Sequence, residues 1–487
     1  MRYRLGMFKN RESRNAAAAL ALMALLGVAL VFLFTGSPEQ DSGYHFLIAR
    51  AAWGEPVNFV KVWARPFYTV VFAAPAALGW TAARLFAVAL GVAVAWQTWR
   101  LALDLKMERA WLVVPLLLGQ PVFFELYPDL LTEPLFALVF VVALRRHLQG
   151  RTKSGMLAAS LLPLARPEGV FLCLLWGKWI LADAWKNESA PPARKIFRAV
   201  IAMLPLATGV TLWWLAALVI SRDPLFILHD WPSQWQQGTY GRGTIFSYAA
   251  RALEFSGPLL AAPLLAGIWN ALRLKKWTPI VTPWLLFFIL HSLFRAYGLF
   301  GEAGYPRYMV SVAPATAVLA LLGWNALAML AVGRPLKIVR AFATAILAVS
   351  IAVSFLYRDS LIWSRDGAAI RDMHAWLREN PRAVRRFIWS NAEMCAQLER
   401  SIGEQPVFTA DHEKNLALLR ASPPGTLVMW DDHLGPDWFR MTALDIEAVG
   451  YQRLRTQQYA LPGVILRGEI AGWKLTREVG ITALYKP

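Results

Sequence analysis

The residue best placed for chemistry in this sequence is Asp41, in the stretch PEQDSGYHFLIARAAW. It lies a few positions beyond a long apolar run, at the edge of a low-dielectric region where a carboxylate can act as a base. Tyr44 and His45 follow three and four positions on, so in a helix all three share one face. Asp is equally a favoured cap for a helix beginning at Ser42 or Gly43, and spacing leaves both roles open. A second cluster, Glu125, Asp129 and Glu133 in FFELYPDLLTEPLF, gathers three carboxylates about one turn. Such a turn can hold a divalent cation or orient a hydroxyl-rich ligand; it can also simply complement the positive end of the helix that starts there. Arg166 and Glu168 flank Pro167 in LARPEGVFL, and Arg307 with Tyr308 stands in YPRYMVSV. A guanidinium at membrane depth is costly unless paired, and phosphate matches its planar donor fork. An internal Arg166–Glu168 ion pair, or snorkelling of Arg307 to the interface, accounts for the same residues without a ligand. Arg65, just before Pro66, is a further cation of this kind.

The elements that must position these residues are membrane helices. Of the 487 residues 57% are hydrophobic and 17% charged, and the mean hydropathy is +0.41. A soluble fold cannot hide that much apolar surface. Several stretches run for about 20 residues almost without charge, enough to cross roughly 30 Å of hydrocarbon. The net charge of +18 is spread over alternate loops, with segments 1–15, 100–109, 145–153, 183–198, 273–277 and 334–340 holding nearly all of it. That is the positive-inside pattern of a multi-pass protein, and no basic face remains for nucleic acid. The N-terminal apolar run is longer than a signal peptide's core and reads as a retained first helix.

Spans are expected at about 16–35, 82–103, 110–126, 130–147, 155–166, 169–184, 199–220, 257–273, 278–294, 308–330 and 338–357. That makes eleven helices, with the N-terminus cytoplasmic and the C-terminus external. The segment 66–80, short and interrupted by Pro75, is expected at the interface or re-entrant, because a full span there would invert every later loop. Spans 155–166 and 169–184 meet at LARPEG, where Pro163 and Pro167 forbid a continuous helix; such a break is tolerated at depth where it lines a cavity. After Arg358 the last 130 residues carry 17 basic and 16 acidic side chains, the density of a soluble domain. Strands are expected at RRFIWSNAE and GTLVMWDD, and helices at DMHAWLREN and AEMCAQLERSI, giving a small external α/β domain at 358–487 after a membrane domain at 1–357. Cys173 and Cys395 provide neither a disulfide framework nor a metal spacing. Trp53, Trp63, Trp231 and Trp235 fall in expected outer loops, where an aromatic belt or stacking on a sugar explains them.

With these motifs in order, the chain resembles the polytopic GT-C glycosyltransferases, which include protein O-mannosyltransferases, aminoarabinose transferases of lipid A and dolichyl-phosphate-mannose-dependent mannosyltransferases. The resemblance covers roughly residues 15–330 and rests on DSGYHFLIARAAW, RPFYTVVFAAPAALGWTAARLFAVALG, YPDLLTEPLFALVF, LARPEGVFL and YPRYMVSVAPATAVLALLG. It implies that Asp41 is the essential acid of the first outer loop. The family often has a pair of adjacent acids there; here the neighbours are Gln40 and Ser42, and Glu39 is the nearest second carboxylate. It implies further that Asp129 or Glu133 is the second-loop acid and that Arg166 and Arg307 lie near a lipid phosphate. The substrates implied are a polyprenyl-phosphate-linked sugar, of mannosyl or other hexosyl type, and an acceptor glycan, lipid or protein outside a bacterial cytoplasmic membrane. A divalent metal ion is a candidate cofactor at the acidic loops. Broken helices and buried charges also suit a transporter or flippase, or a non-catalytic membrane assembly partner. A zinc protease is excluded, since neither DMHAW nor ADHEK supplies two His four residues apart.

Overall fold

The structure, a computed structural model, describes residues 2–33, 41–187, 191–232, 235, 240–330, 336–357, 372–373, 375–380, 384–390, 392–397, 408–409, 411–432, 434–460 and 478–487. The chain is an integral membrane protein. Among the described residues five helices are long and apolar enough to cross a membrane: Arg11–Leu33, Trp80–Asp104, Pro192–Ser221, Lys275–Tyr297 and Pro306–Met329. Their outer faces are what lipid requires. On Pro192–Ser221, for instance, Leu204, Leu212 and Val219 each leave at least 60% of their surface open.

Eleven regular spans were expected, and several are instead assembled from short pieces. The segment expected as one span over 110–126 consists of Ala110–Leu112, Val113–Leu118 and Pro121–Leu126. Gly119 ends the second piece and Pro121, which has no backbone N–H to give, begins the third. The segment over 155–166 is likewise Thr152–Ala159 followed by Leu162–Ala165. Helix Pro66–Ala77 has 12 residues, about 18 Å at 1.5 Å per residue, too short to span. Gly79, at φ +110°, separates it from Trp80–Asp104 in a conformation L side chains avoid.

Contacts divide the chain into two compact units. The first comprises Met1–Ala29, Pro56–Val71 and Leu85–Tyr357; the second comprises Leu30–Glu55, Phe72–Arg84 and Arg358–Pro487. In the first, the tightest pairing is between helices Ala261–Arg273 and Ala313–Leu330. A Cβ on Gly267 would strike the carbonyl of Leu319, and one on Gly323 that of Pro263. Small residues thus let two backbones meet where lipid offers no hydrophobic force to press them together.

The second unit contains a four-stranded sheet in the order β1-β2-β4-β3. Its strands are β1 (Arg386–Trp389), β2 (Thr426–Asp431), β3 (Gln452–Ala460) and β4 (Glu478–Tyr485). β1 runs parallel to β2, and β4 pairs antiparallel with both β2 and β3. Ile388, Val428 and Leu484 from the sheet, with Leu419, Met441 and Ile446, form its core. Both expected strands, and the expected helix at Ala392–Gln397, are present. The unit differs from a tail starting at residue 358, because helix Asp41–Ala51 packs against Ala392–Gln397. Phe46, Leu47, Ile48 and Ala49 are buried on the first helix, and Cys395 and Ala396 on the second. An apolar stripe on a short helix must be covered, and this small-residue surface covers part of it.

Candidate functional site

Pro167 forces Arg166 out of the helical region, and Arg166 closes helix Leu162–Ala165 in an extended conformation at φ −158°, ψ 137°. The turn that follows brings Glu168 back beside the arginine before helix Gly169–Asn187 begins. Arg166 Nε and Nη2 donate to Glu168 Oε1 at 3.2 and 2.7 Å, and Nη1 donates to Glu133 Oε1 at 2.6 Å and Thr132 Oγ1 at 3.1 Å. Thr132 and Glu133 open helix Thr132–Leu148, so Glu133 also lies at that helix's positive end. Arg307 approaches the same carboxylate, with Nε 3.7 Å from Glu133 Oε1. The Arg166 guanidinium lies 4.8 Å from the Tyr308 ring centre, and that of Arg307 lies 4.9 Å from Tyr305.

Arg65 joins this group electrostatically. Its pKa is lowered to about 10, by burial first and then by Arg166, with Glu168, Glu133 and Tyr308 opposing the shift. Its guanidinium stacks 4.3 Å from the Trp235 ring. The backbone at Arg65 is left-handed, φ 61°, a conformation that costs a non-glycine residue about 1–2 kcal/mol. The segment before it is tied down from outside: Val60 O accepts from Trp213 Nε1 at 2.9 Å, and Val62 N–H donates to Asp230 Oδ2 at 2.7 Å. Glu168, in the connection between two helices, is pushed up by burial but pulled down more strongly by Arg166, His291 and Arg65, to about 2. Three guanidinium groups, Arg65, Arg166 and Arg307, therefore surround two carboxyl groups, Glu133 and Glu168.

A second network abuts this one. His291 Nδ1 lies 2.7 Å from Glu302 Oε2, while Glu302 Oε1 accepts from Tyr248 Oη at 2.6 Å and from Gly304 N–H at 3.0 Å. Arg251 bonds Glu254 with Nε and Nη2 at 2.6 and 2.8 Å and donates from Nη1 to Gly304 O at 2.9 Å. These contacts fix the turn that leads into Pro306, Arg307 and Tyr308. His291 in turn stacks on Tyr308, centroids 5.2 Å apart.

Of the acids expected in the second loop, Glu133 is held by Arg166 and approached by Arg307. Asp129 is buried in the connection before Thr132, and its charge acts on Tyr68, whose hydroxyl donates to Leu130 O at 2.9 Å. Glu125 is buried on Pro121–Leu126. No group of three or more His, Cys, Asp or Glu among the described residues is arranged to hold a metal ion.

Asp41 is the first residue of helix Asp41–Ala51 in the second unit, so the stretch is helical as its face-sharing with Tyr44 and His45 requires. Tyr44 and His45 are both on that helix, and His45 is buried. The Tyr44 hydroxyl is raised above its usual pKa by burial first, then by Asp41, Asp431 and Cys395. Its ring lies 5.7 Å from that of Trp389, the last residue of β1. Asp431, which ends β2, is braced by Ser390 Oγ at 3.0 Å. Glu39 lies outside the described residues. His291, Glu302, Tyr248, Arg251 and Glu254 were not singled out from sequence. The available signal was an ionisable side chain, His291, inside the apolar run TPWLLFFILHSLF.

A helical membrane domain with broken spans, a helix after the first span that begins with an acid, and a small mixed-sheet domain make up a fold shared with solved structures. Among them are two of ArnT from Cupriavidus metallidurans. The one bound to undecaprenyl phosphate aligns with TM-score 0.61 and 13% identity over 96% of this chain and 97% of that chain. The apo form aligns with TM-score 0.60 and 15% identity over 96% and 98%. No family model and no curated protein matches the sequence.

Proposed function

We propose that this chain is a membrane glycosyltransferase that moves a sugar from a polyprenyl-phosphate-linked donor to an acceptor hydroxyl on the outer face. The observation that carries this reading is the buried cluster in which Arg166 and Arg307 meet at Glu133, in a chain whose fold is shared by a protein solved with undecaprenyl phosphate. A lipid-linked phosphate is an anion that reaches such a depth, and its oxygens match the guanidinium donor fork.

The chemistry asks for one base and one cation. The acceptor oxygen attacks the anomeric carbon as its proton passes to Asp41, and the bond from that carbon to the phosphate oxygen breaks on the opposite side, inverting the centre. The electron pair leaves with the phosphate, which is a good leaving group and needs charge stabilisation rather than a proton. Arg166, Arg307 and Arg65 provide that stabilisation by donating to the phosphate oxygens. Glu133 and Glu168 hold the guanidinium groups in place between turnovers.

The test is to incubate purified protein in nanodiscs with a radiolabelled polyprenyl-phosphate sugar and a membrane extract as acceptor, with no membrane energisation. Release of polyprenyl phosphate with labelling of an acceptor supports the transferase. Movement of intact donor across a vesicle bilayer without cleavage identifies a flippase instead, and neither event leaves an assembly partner.

A further inference from the structure

The phosphate-facing arginines account for one end of a glycosyl donor and leave open what holds the other. His291 is wholly buried on helix Thr278–Tyr297. Glu302 accepts at its Nδ1 side, at 2.7 Å, and is itself anchored by Tyr248 and Gly304. A carboxylate there fixes the proton on Nδ1, so in the neutral ring Nε2 presents a lone pair. That Nε2 is buried and has no hydrogen-bond partner among the described residues. Glu168 repeats the pattern: Oε1 takes both bonds from Arg166, whereas Oε2 is buried and has no hydrogen-bond partner among the described residues. The two groups belong to one neighbourhood. His291 stacks on Tyr308, the ring over which Arg166, the partner of Glu168, also lies.

We propose that His291 Nε2 and Glu168 Oε2 form a sugar subsite, receiving hydrogen bonds from neighbouring hydroxyls of the donor's sugar while the arginines take its phosphate. Two buried acceptors call for a ligand that brings two O–H donors, which a vicinal diol does. A phosphate brings only acceptors and is turned away from them toward the guanidinium groups. Buried acceptors left unmet are costly, so a correctly placed diol gains more here than the same bonds would give in water. The division orients the donor, with its sugar toward His291 and its leaving group toward Arg166. Glu302 acts through His291 as a positioning residue.

This inference rests on the transferase reading, and its test separates the two. Binding to protein in nanodiscs is measured for undecaprenyl phosphate and for C-glycosidic phosphonate analogues of undecaprenyl-phosphate sugars carrying mannose, glucose or a pentose. The wild type is expected to bind at least one analogue more tightly than the bare lipid phosphate. His291→Phe, which keeps a ring to stack on Tyr308, should lose that gain by about tenfold while binding undecaprenyl phosphate within about twofold of wild type. His291→Gln, which restores an acceptor, should recover part of it. A His291→Phe protein that keeps the full gain overturns the subsite, since Nε2 then meets only water. Absence of a sugar-dependent gain in the wild type does the same. Failure of the wild type to bind undecaprenyl phosphate overturns the transferase reading, and the subsite falls with it.

Discussion

The acid–arginine cluster of the first unit and the Asp41 helix of the second unit solve opposite problems. Around Glu133 every charge is committed: Arg166 touches Glu133 and Glu168, and Arg307 stands 3.7 Å from the same Glu133 oxygen. Removing one partner there strands another in a buried environment, so binding and stability are coupled. Asp41 opens a short helix whose hold on its surroundings is chiefly apolar, through Phe46, Leu47, Ile48 and the Tyr44–Trp389 contact. In the proposed mechanism that carboxylate takes the acceptor's proton. The two regions then differ in what the loss of a charge should do to the fold.

Substitutions can break or sharpen that contrast. The largest effect is expected for Asp41→Asn, which removes the base but keeps size and shape. Transfer should fall by about 10²-fold or more, while thermal unfolding in detergent stays within about a degree of wild type; an active variant would remove Asp41 from the mechanism. Arg166→Ala should behave in the other way, losing lipid-phosphate binding and about 3–5 kcal/mol of stability, because Glu133 and Glu168 are left buried without their main partner. Denaturant titration beside binding measurements checks both halves. Arg307→Lys should be milder, a several-fold loss of lipid-phosphate affinity with little change in stability, since the charge stays and the donor fork is lost.

Trp389→Leu probes the support of the Asp41 helix. It deletes an aromatic contact worth about 0.5–1.5 kcal/mol beyond its area, and it should lower kcat several-fold with the donor KM unchanged. The smallest effect concerns acid. The Glu168 carboxyl is held near 2 against its ordinary 4.5, so its stabilising contribution is complete above pH 4.5 and is lost only as pH falls toward 2. Glu168→Gln should therefore flatten the acid limb of the unfolding midpoint below pH 4.5 and leave its shape unchanged between pH 5 and 8.

The sequence exposes these two regions unequally. Asp41 stands out because it follows a long apolar run and shares helical spacing with Tyr44 and His45, and its helix is present. Arg166 and Glu168 stand out because two prolines mark a broken span between them and their neighbours, and both the break and the ion pair are present. The pairing of Glu133 with Arg166 and Arg307 is not readable from spacing, because it depends on how three distant segments meet. The His291–Glu302–Tyr248 network is hidden for the same reason: its members are 11 and 54 residues apart in the pairs that bond. Nor does composition reveal that Asp41–Ala51 packs with the C-terminal sheet domain. Hydropathy separates membrane from soluble segments but does not say which short helix covers which surface.

The most direct test of the account is an electron cryomicroscopy structure of the protein in nanodiscs with undecaprenyl phosphate bound. The phosphate is expected within about 3 Å of the Arg166 or Arg307 guanidinium, with Glu133 still bridging the two arginines or displaced by the ligand. A phosphate resting elsewhere, with the Glu133–Arg166–Glu168 contacts unchanged and no anion beside them, would contradict it.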